Sequence, residues 1–269
     1  MQRYFLKLAY NGKAYHGWQF QPNAITIQQV LEQALSMFLR DTISLIGCGR
    51  TDAGVHASLY YAHFDTETLF DEAVLVKRLN AFLRNDIFIY DCFKVPSTLH
   101  ARFSAVYRTY HYYITTRKDP FRQEFTCPVY RNLDFDKMNE AAAMLLKYVD
   151  FSAFAKSSTD VKTNNCTMMK AVWEQTEAEH VWVFKITANR FLRNMVRAIV
   201  GTLLEVGYGN IPLEKFRAII ESESREAAAA SAPPEALFLQ DVGYPRGNAD
   251  DSPLTPKEGN DTDFRGFFF

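Results

Sequence analysis

The run Ile43-Ser44-Leu45-Ile46-Gly47-Cys48 leads into Gly49-Arg50-Thr51-Asp52-Ala53-Gly54-Val55-His56-Ala57, and that into Ser58-Leu59-Tyr60-Tyr61-Ala62-His63-Phe64. An apolar run, a polar loop and a second apolar run read as strand, loop and strand. Residues 43 to 48 predict a buried strand, and residues 58 to 64 predict another. Glycines at 49 and 54 permit the tight backbone such a loop needs. The loop holds one carboxylate, Asp52, with no second acid beside it. Taken alone, the residues fit two readings. Asp52 could close an Asx-type turn on its own backbone. It could equally be charge presented for chemistry at a sheet edge.

Working outward, Ile27, Val30, Leu31, Ala34, Leu35 and Phe38 recur at helical spacing and predict an amphipathic helix over 27–39. Thr26 and Gln29 form a capping-box pattern at its start. Residues 3–10 read as a strand. Downstream, Val74, Leu75, Leu79, Phe82 and Leu83 mark a second helix, and 87–95 another strand. The order β-α-β-β-α-β is that of ferredoxin-like and RRM-like units. A strand over 106–116 opens a second half. A helix over 136–148, strands over 168–176 and 180–187, and a helix over 190–206 closed by Gly207 follow. A helix after Pro212, an alanine-rich helix over 224–230 and a strand over 236–242 complete it. The expected organisation is an α+β half over 1–105, a second over 106–245, and a flexible acidic tail over 246–269.

With 269 residues and 48% apolar content, the chain can fill a sizeable core. No stretch resembles a signal peptide or is long enough to span a membrane, so a cytoplasmic protein with no membrane partner is expected. Cys48, Cys92, Cys127 and Cys166 form no C-x-x-C pair, which argues against a zinc site or a disulfide framework. His56, His63, His100 and His111 lack metal-ligand spacing. No glycine-rich nucleotide loop is present, so a dinucleotide cofactor is excluded. The formal charge is −1, but it is unevenly spread. From Glu221 on there are four Lys/Arg against ten Asp/Glu, which leaves 26 basic and 21 acidic residues before that point. Residues 100–122 carry Arg102, Arg108, Arg117, Lys118 and Arg122 against Asp119 alone. Such local basic surface suits phosphate, although a solvated face has the same composition.

Several motifs together resemble the tRNA pseudouridine synthases of the TruA family. The loop GRTDAGVHA at 49–57 is similar to that family's active-site signature, without a gap. Tyr10-Asn11-Gly12 with Tyr15-His16-Gly17-Trp18-Gln19 resembles its N-terminal motif, with Asn11 where the family usually has Asp. His100-Ala101-Arg102-Phe103-Ser104-Ala105 leading to Arg108-Thr109-Tyr110 resembles its second motif. Phe191, Met195-Val196-Arg197 and Gly201 resemble the third, and Leu237-Phe238-Leu239 the C-terminal strand. The resemblance covers residues 3–243. It departs at Leu59-Tyr60-Tyr61-Ala62, where the family commonly has Gly-Gln-Val before His-Phe.

The resemblance implies an α+β fold in which two ferredoxin/RRM-like halves share a central, mainly antiparallel sheet. It implies isomerisation of uridine to pseudouridine at positions 38, 39 and 40 of the tRNA anticodon stem-loop, with no cofactor and no metal. Asp52 is then the essential carboxylate, acting as nucleophile or as base. A lone carboxylate fits an isomerase better than a glycosidase, which needs two. Tyr110 would stack on the uracil, although a sheet-face tyrosine among Tyr107, Tyr112 and Tyr113 reads the same way. Arg50 would fill the gap left by a flipped base, the alternative being a surface ion pair. His100, Ala101, Arg102 and Phe103 would contact the RNA. Arg190, Arg193 and Arg197 fall at i, i+3 and i+7 on the expected helix. The resemblance singles out Arg197, expected to pair with Asp52. Homodimer formation is implied too. Strands apolar on both faces, at Tyr4-Phe5, Tyr60-Tyr61 and Tyr112-Tyr113, fit that expectation. The rival readings are a pseudouridine synthase with another RNA target and a catalytically silent RNA-binding protein.

Overall fold

A computed structural model describes residues 1–156 and 163–245. The tail over 246–269 lies outside the described residues. The chain divides into two units, Met1–Val106 with residues 239–245, and Tyr107–Phe238.

The first unit runs β1 (Gln2–Tyr10), α1 (Ile27–Leu39), β2 (Ile46–Gly47), β3 (His56–Thr66), α2 (Glu72–Phe82) and β4 (Ile87–Val95). Its strands are antiparallel in the order β4-β1-β3-β2. As the central strand, β1 is covered on both faces, which is why Tyr4, Phe5, Leu6, Leu8 and Tyr10 are all buried. The first helix forms as its spacing predicts. Thr26 Oγ1 accepts from Gln29 N at 3.3 Å, and Arg40 ends the helix in the left-handed region at φ 53°. Asp71 caps α2 by accepting from Val74 N at 2.9 Å. Phe38 and Phe82 join the two helices edge to face, with ring centroids 5.6 Å apart.

The strand expected over 43–48 shrinks to Ile46–Gly47. Its preceding backbone is claimed by α1 instead. Ile43 N donates to Ser36 Oγ (3.0 Å), Leu45 N to Glu32 Oε1 (2.8 Å), and Gln28 Nε2 to Leu45 O (3.1 Å). Peptide groups already paired with helix side chains have no need of a neighbouring strand.

In the second unit are β5 (Tyr107–Thr115), β6 (Cys127–Pro128), α3 (Phe135–Met144), β7 (Met168–Gln175), β8 (Val181–Ala188), α4 (Met195–Gly207) and α5 (Leu213–Glu221). β9 (Leu237–Gly243) begins here, and its residues from Leu239 on belong to the first unit. β8 pairs antiparallel with both β5 and β7, and β6 pairs parallel with β5. Asn139 of α3 bonds both backbone groups of Trp173 on β7, at 3.1 and 2.7 Å. Phe135 stacks on Trp182 at 3.5 Å.

Three expectations fail in this unit. α4 starts at Met195, not Arg190, because Asn194 sits in the left-handed region at φ 66° and interrupts the helical path. Arg190 and Arg193 therefore precede the helix and share no helical face with Arg197. The helix is not closed by a left-handed Gly207. Gly207 is still helical, and Gly209 makes the turn at φ 76°. The alanine-rich segment is a turn followed by irregular chain. Pro233 and Pro234 disfavour helix ahead of them, and side chains hold the peptides elsewhere. Ala229 N donates to Thr202 Oγ1 (3.2 Å), Arg197 Nε to Ala232 O (2.8 Å), and Arg225 Nη1 to Ala229 O (3.1 Å).

The paired tyrosines need no second subunit to cover them. Tyr4, Phe5, Tyr60, Tyr61, Tyr112 and Tyr113 are all buried within the single chain.

Candidate active site

The Asp52 loop joins β2 to β3 and is braced from below by the segment that follows β1. Trp18 N donates to Thr51 O (3.3 Å), Gly54 N to Tyr15 O (3.2 Å), and Val55 N to Asp52 O (3.2 Å). Tyr10 and Thr51 share a hydroxyl hydrogen bond of 2.9 Å, and the Tyr60 hydroxyl donates to Gly49 O. His56 Nδ1 accepts from Gly12 N at 3.0 Å. Trp18 stacks on Tyr60 with centroids 4.1 Å apart, and Tyr10 packs against both. Gly17 stands at φ +85°, and a Cβ there would collide with Thr51 O. Tyr15 is itself tethered, its hydroxyl donating to Asp86 Oδ1 at 2.7 Å. These braces tie the Tyr10–Gln19 segment to the loop. Asn11, where the resemblance expects Asp, accepts from Lys13 N at 3.0 Å, a bond either side chain can make. Within this frame Thr51 is buried, Asp52 is half-buried and Arg50 is exposed.

His100, Ala101, Arg102 and Phe103 form a separate turn, and it lies at the other end of the same strands. Asp52 is beside Tyr10 and His56, where β1 ends and β3 begins. The turn is beside Arg3 and His63, where β1 begins and β3 nears its end. His56 and His63 stand seven positions apart on β3, a span of roughly 20 Å at about 3.3 Å per residue. His63 Nδ1 accepts from Ala101 N, and His100 Nδ1 from Arg102 N and Phe103 N, each at 3.1 Å. The Tyr244 hydroxyl donates to Ala101 O at 2.7 Å. Arg3 makes two bonds to the Asp65 carboxylate (2.8 and 2.7 Å) and donates to Ser97 O and Leu99 O. The bond from Arg3 holds the Asp65 carboxyl below the usual range. Burial, aided by Arg3 and His100, lowers the His63 imidazole to about 4, and burial likewise lowers His100. Arg102 is exposed, and Phe103 is 77% exposed.

The other two expected residues belong to the second unit. Tyr110 lies on β5 opposite Ile186, is buried, and meets Phe191 edge to face at 5.1 Å. Arg197 is half-buried on α4 and, besides its bond to Ala232 O, accepts at its own carbonyl from Ala232 N (2.9 Å). The basic stretch over 100–122 is not one surface. Arg108 is buried with Nη1 on Asn189 O (2.8 Å), and Arg122 pairs with Asp119 at 2.8 Å, while Arg102, Arg117 and Lys118 are exposed. Among the described residues no group of three or more His, Cys, Asp and Glu side chains could hold a metal ion, and no helix is long and apolar enough to cross a membrane.

Spacing had no means of revealing His56, His63 and His100 as acceptors for backbone N–H groups. The partners of His56 and His63, Gly12 and Ala101, lie 44 and 38 residues away, while those of His100 are two and three residues on and leave no apolar or metal-ligand spacing. Tyr60 had a usable signal, since it lies in Leu59-Tyr60-Tyr61-Ala62, where the sequence departs from the pattern it otherwise resembles.

A family model described as tRNA pseudouridine synthase matches residues 141–245, a span that holds Arg197 but not Asp52 or Tyr110. Similarity to whole proteins reaches further. A tRNA pseudouridine synthase A of Bacteroides thetaiotaomicron is 54% identical over 246 residues, 91% of this chain and 91% of its own length. Its counterparts in Porphyromonas gingivalis and Bacteroides fragilis are 53% and 55% identical over 247 residues, each covering 91% of this chain and 98% of their own. At that identity across nearly the full length of both partners, the chain belongs to the tRNA pseudouridine synthase A family.

Proposed function

We propose that this chain isomerises uridine to pseudouridine in tRNA, at positions 38, 39 and 40 of the anticodon stem-loop. The observation that carries the reading is identity above 50% over 91% of the chain to proteins named tRNA pseudouridine synthase A. In the reaction the C1′–N1 bond breaks and a C1′–C5 bond forms. C5 loses a proton and N1 gains one. Nothing is oxidised or consumed, so the chemistry asks for no cofactor. Asp52 is the essential carboxylate, attacking the nucleoside or removing a proton from it, and its charge offsets positive charge developing at C1′. The braced loop supports that role, because a fixed carboxylate meets the reacting atoms without first being ordered. Arg50, exposed two residues away, fills the place of the flipped base. Tyr110 stacks on the uracil, and Arg197 pairs with Asp52. His100, Ala101, Arg102 and Phe103 meet the RNA.

The α-β alternation and the strand order of the first unit support reading residues 1–105 and 106–245 as ferredoxin-like halves that share one sheet, with 246–269 as a tail. The enzyme acts as a cytoplasmic homodimer. Four reduced, buried cysteines fit that compartment.

The test is incubation of the purified protein with unmodified tRNA transcripts and no added cofactor, followed by pseudouridine mapping. Product at positions 38 to 40 is expected. Product confined to other positions, or none at all, overturns the reading.

A further inference from the structure

The non-helical chain over 229–232 lies directly against α4. Residues 229, 230 and 232 meet positions 202, 201 and 197, so the chain runs backward along the helix. Ala229 N donates to Thr202 Oγ1 (3.2 Å), and Asn194 Nδ2 donates to Ser231 Oγ (2.6 Å). Ala232 is tied to Arg197 twice. Its N donates to Arg197 O at 2.9 Å, and Arg197 Nε donates to Ala232 O at 2.8 Å. Gly201, between these ties, lets the two backbones come so close, because a Cβ there would collide with Ala230 O. Glycine weakens a helix interior, and the close approach accounts for one in the middle of α4. Arg225 braces the same chain, with Nη1 on Ala229 O (3.1 Å) and Nη2 on Ser231 Oγ (2.9 Å). Thr202 is fully buried and also donates to Ala198 O (2.8 Å), so its hydroxyl is held on both sides.

We propose that the chain over 229–232 is a strap that orients the Arg197 guanidinium, and that Gly201, Thr202 and Ser231 are positioning residues that seat it. A long side chain such as arginine has many rotamers to lose. The bond from Nε to Ala232 O removes that freedom at the base of the fork and sets the plane of the whole guanidinium. It also selects how an acid is met. Arginine binds a carboxylate side on, through Nε and one Nη, or end on, through the two Nη groups. With Nε directed at Ala232 O, Arg197 meets a carboxylate end on. The strap thus acts on the alignment of a charge and not on how tightly RNA is held, so it governs kcat and not KM. The proposal rests on the reading of Arg197 as the partner of Asp52, and it adds what sets the direction of that arginine.

The experiment reads Arg197 in two independent ways. Solvent exchange of its Nε–H proton is followed by NMR, the signal being assigned by its loss in Arg197→Lys. On an unmodified tRNA transcript, kcat and KM are measured. Gly201→Ala breaks the seat outright and endangers the fold, so Thr202→Val, Thr202→Ser and Ser231→Ala carry the test. Val keeps the size of Thr and removes the acceptor of Ala229 N, whereas Ser keeps the hydroxyl. Thr202→Val and Ser231→Ala are expected to speed exchange about tenfold and to lower kcat about tenfold, with KM unchanged. Thr202→Ser is expected to stay near wild type. In an Arg197→Lys background, where the Nε bond is already gone, the same changes are expected to lower kcat no further. Unchanged exchange in Thr202→Val and Ser231→Ala would overturn the strap, as would a Ser variant that exchanges as fast as the Val variant. Faster exchange with unchanged kcat would refute its bearing on the reaction. An equal fall in kcat in the Arg197→Lys background, or a rise in KM alone, would refute the positioning role. Should wild type make no product, or Arg197→Lys keep the wild-type kcat, the reading above fails, while the exchange still decides whether the strap orients Arg197.

Discussion

The two ends of the β1–β3 pair carry loops built to different rules. At one end, the Asp52 loop is enclosed by Trp18, Tyr10 and Tyr60, with its carboxylate only half-buried. At the other, the turn over 100–104 is held from beneath and leaves Phe103 and Arg102 outside. Hydroxyls of Tyr10, Thr51 and Tyr60 hold the first loop, and imidazole nitrogens of His63 and His100 hold the second. The difference lies in exposure. A carboxylate that reacts needs a fixed, partly shielded place, whereas a surface that grips needs its aromatic and cationic groups in the open.

Breaking the first frame has the largest expected effect on stability. Gly17→Ala forces a Cβ into a left-handed residue and against Thr51 O. A loss of about 3 kcal/mol is expected, read as a lower denaturant midpoint, together with reduced turnover. Wild-type stability in that variant would mean that the loop is not locked to the segment over 12–18.

The second frame is sharpened by pH. His63 titrates near 4 when folded and at 6.5 when unfolded, so its neutral form is favoured by folding. Its contribution is full above pH 6.5 and is lost as pH falls toward 4, because the unfolded chain binds the proton first. About 2 kcal/mol should be lost by pH 5. His63→Asn keeps an acceptor and should flatten that part of the profile. An equal slope in wild type and variant would show that His63 is not the group responsible.

A smaller effect separates frame from chemistry. Tyr60→Phe removes the hydroxyl bond to Gly49 O while keeping the stack on Trp18. About 1 kcal/mol of stability should go, with a modest fall in kcat and no change in KM. A change in KM alone would place Tyr60 among the RNA contacts instead.

How much of this was legible beforehand depended on where the constraint lay. The helix over 27–39, the strand over 87–95 and the Asp52 loop were readable because apolar spacing, a capping threonine and paired glycines act locally. The start of α4 and the alanine-rich segment were not. Asn194 turns left-handed while its side chain bonds Ser231 (2.6 Å), and Ala229 is held by Thr202, contacts spanning 37 and 27 residues. Alanine propensity and periodicity carry no trace of such partners. The same limit hid His56 and His63, which accept from Gly12 N and Ala101 N, 44 and 38 residues away. Asp52 itself was legible as a residue type in a rare setting, and its half-buried place became visible only once Tyr10, Trp18 and Tyr60 had closed around the loop.

The most direct measurement replaces the carboxylate and nothing else. Purified Asp52→Asn, with its fold verified, is assayed beside wild type for tRNA binding and for pseudouridine formation. If the Asp52 loop holds the chemistry and the far turn holds the RNA, binding stays close to wild type while product falls to background. Pseudouridine formation above a few per cent of the wild-type rate would contradict a catalytic Asp52.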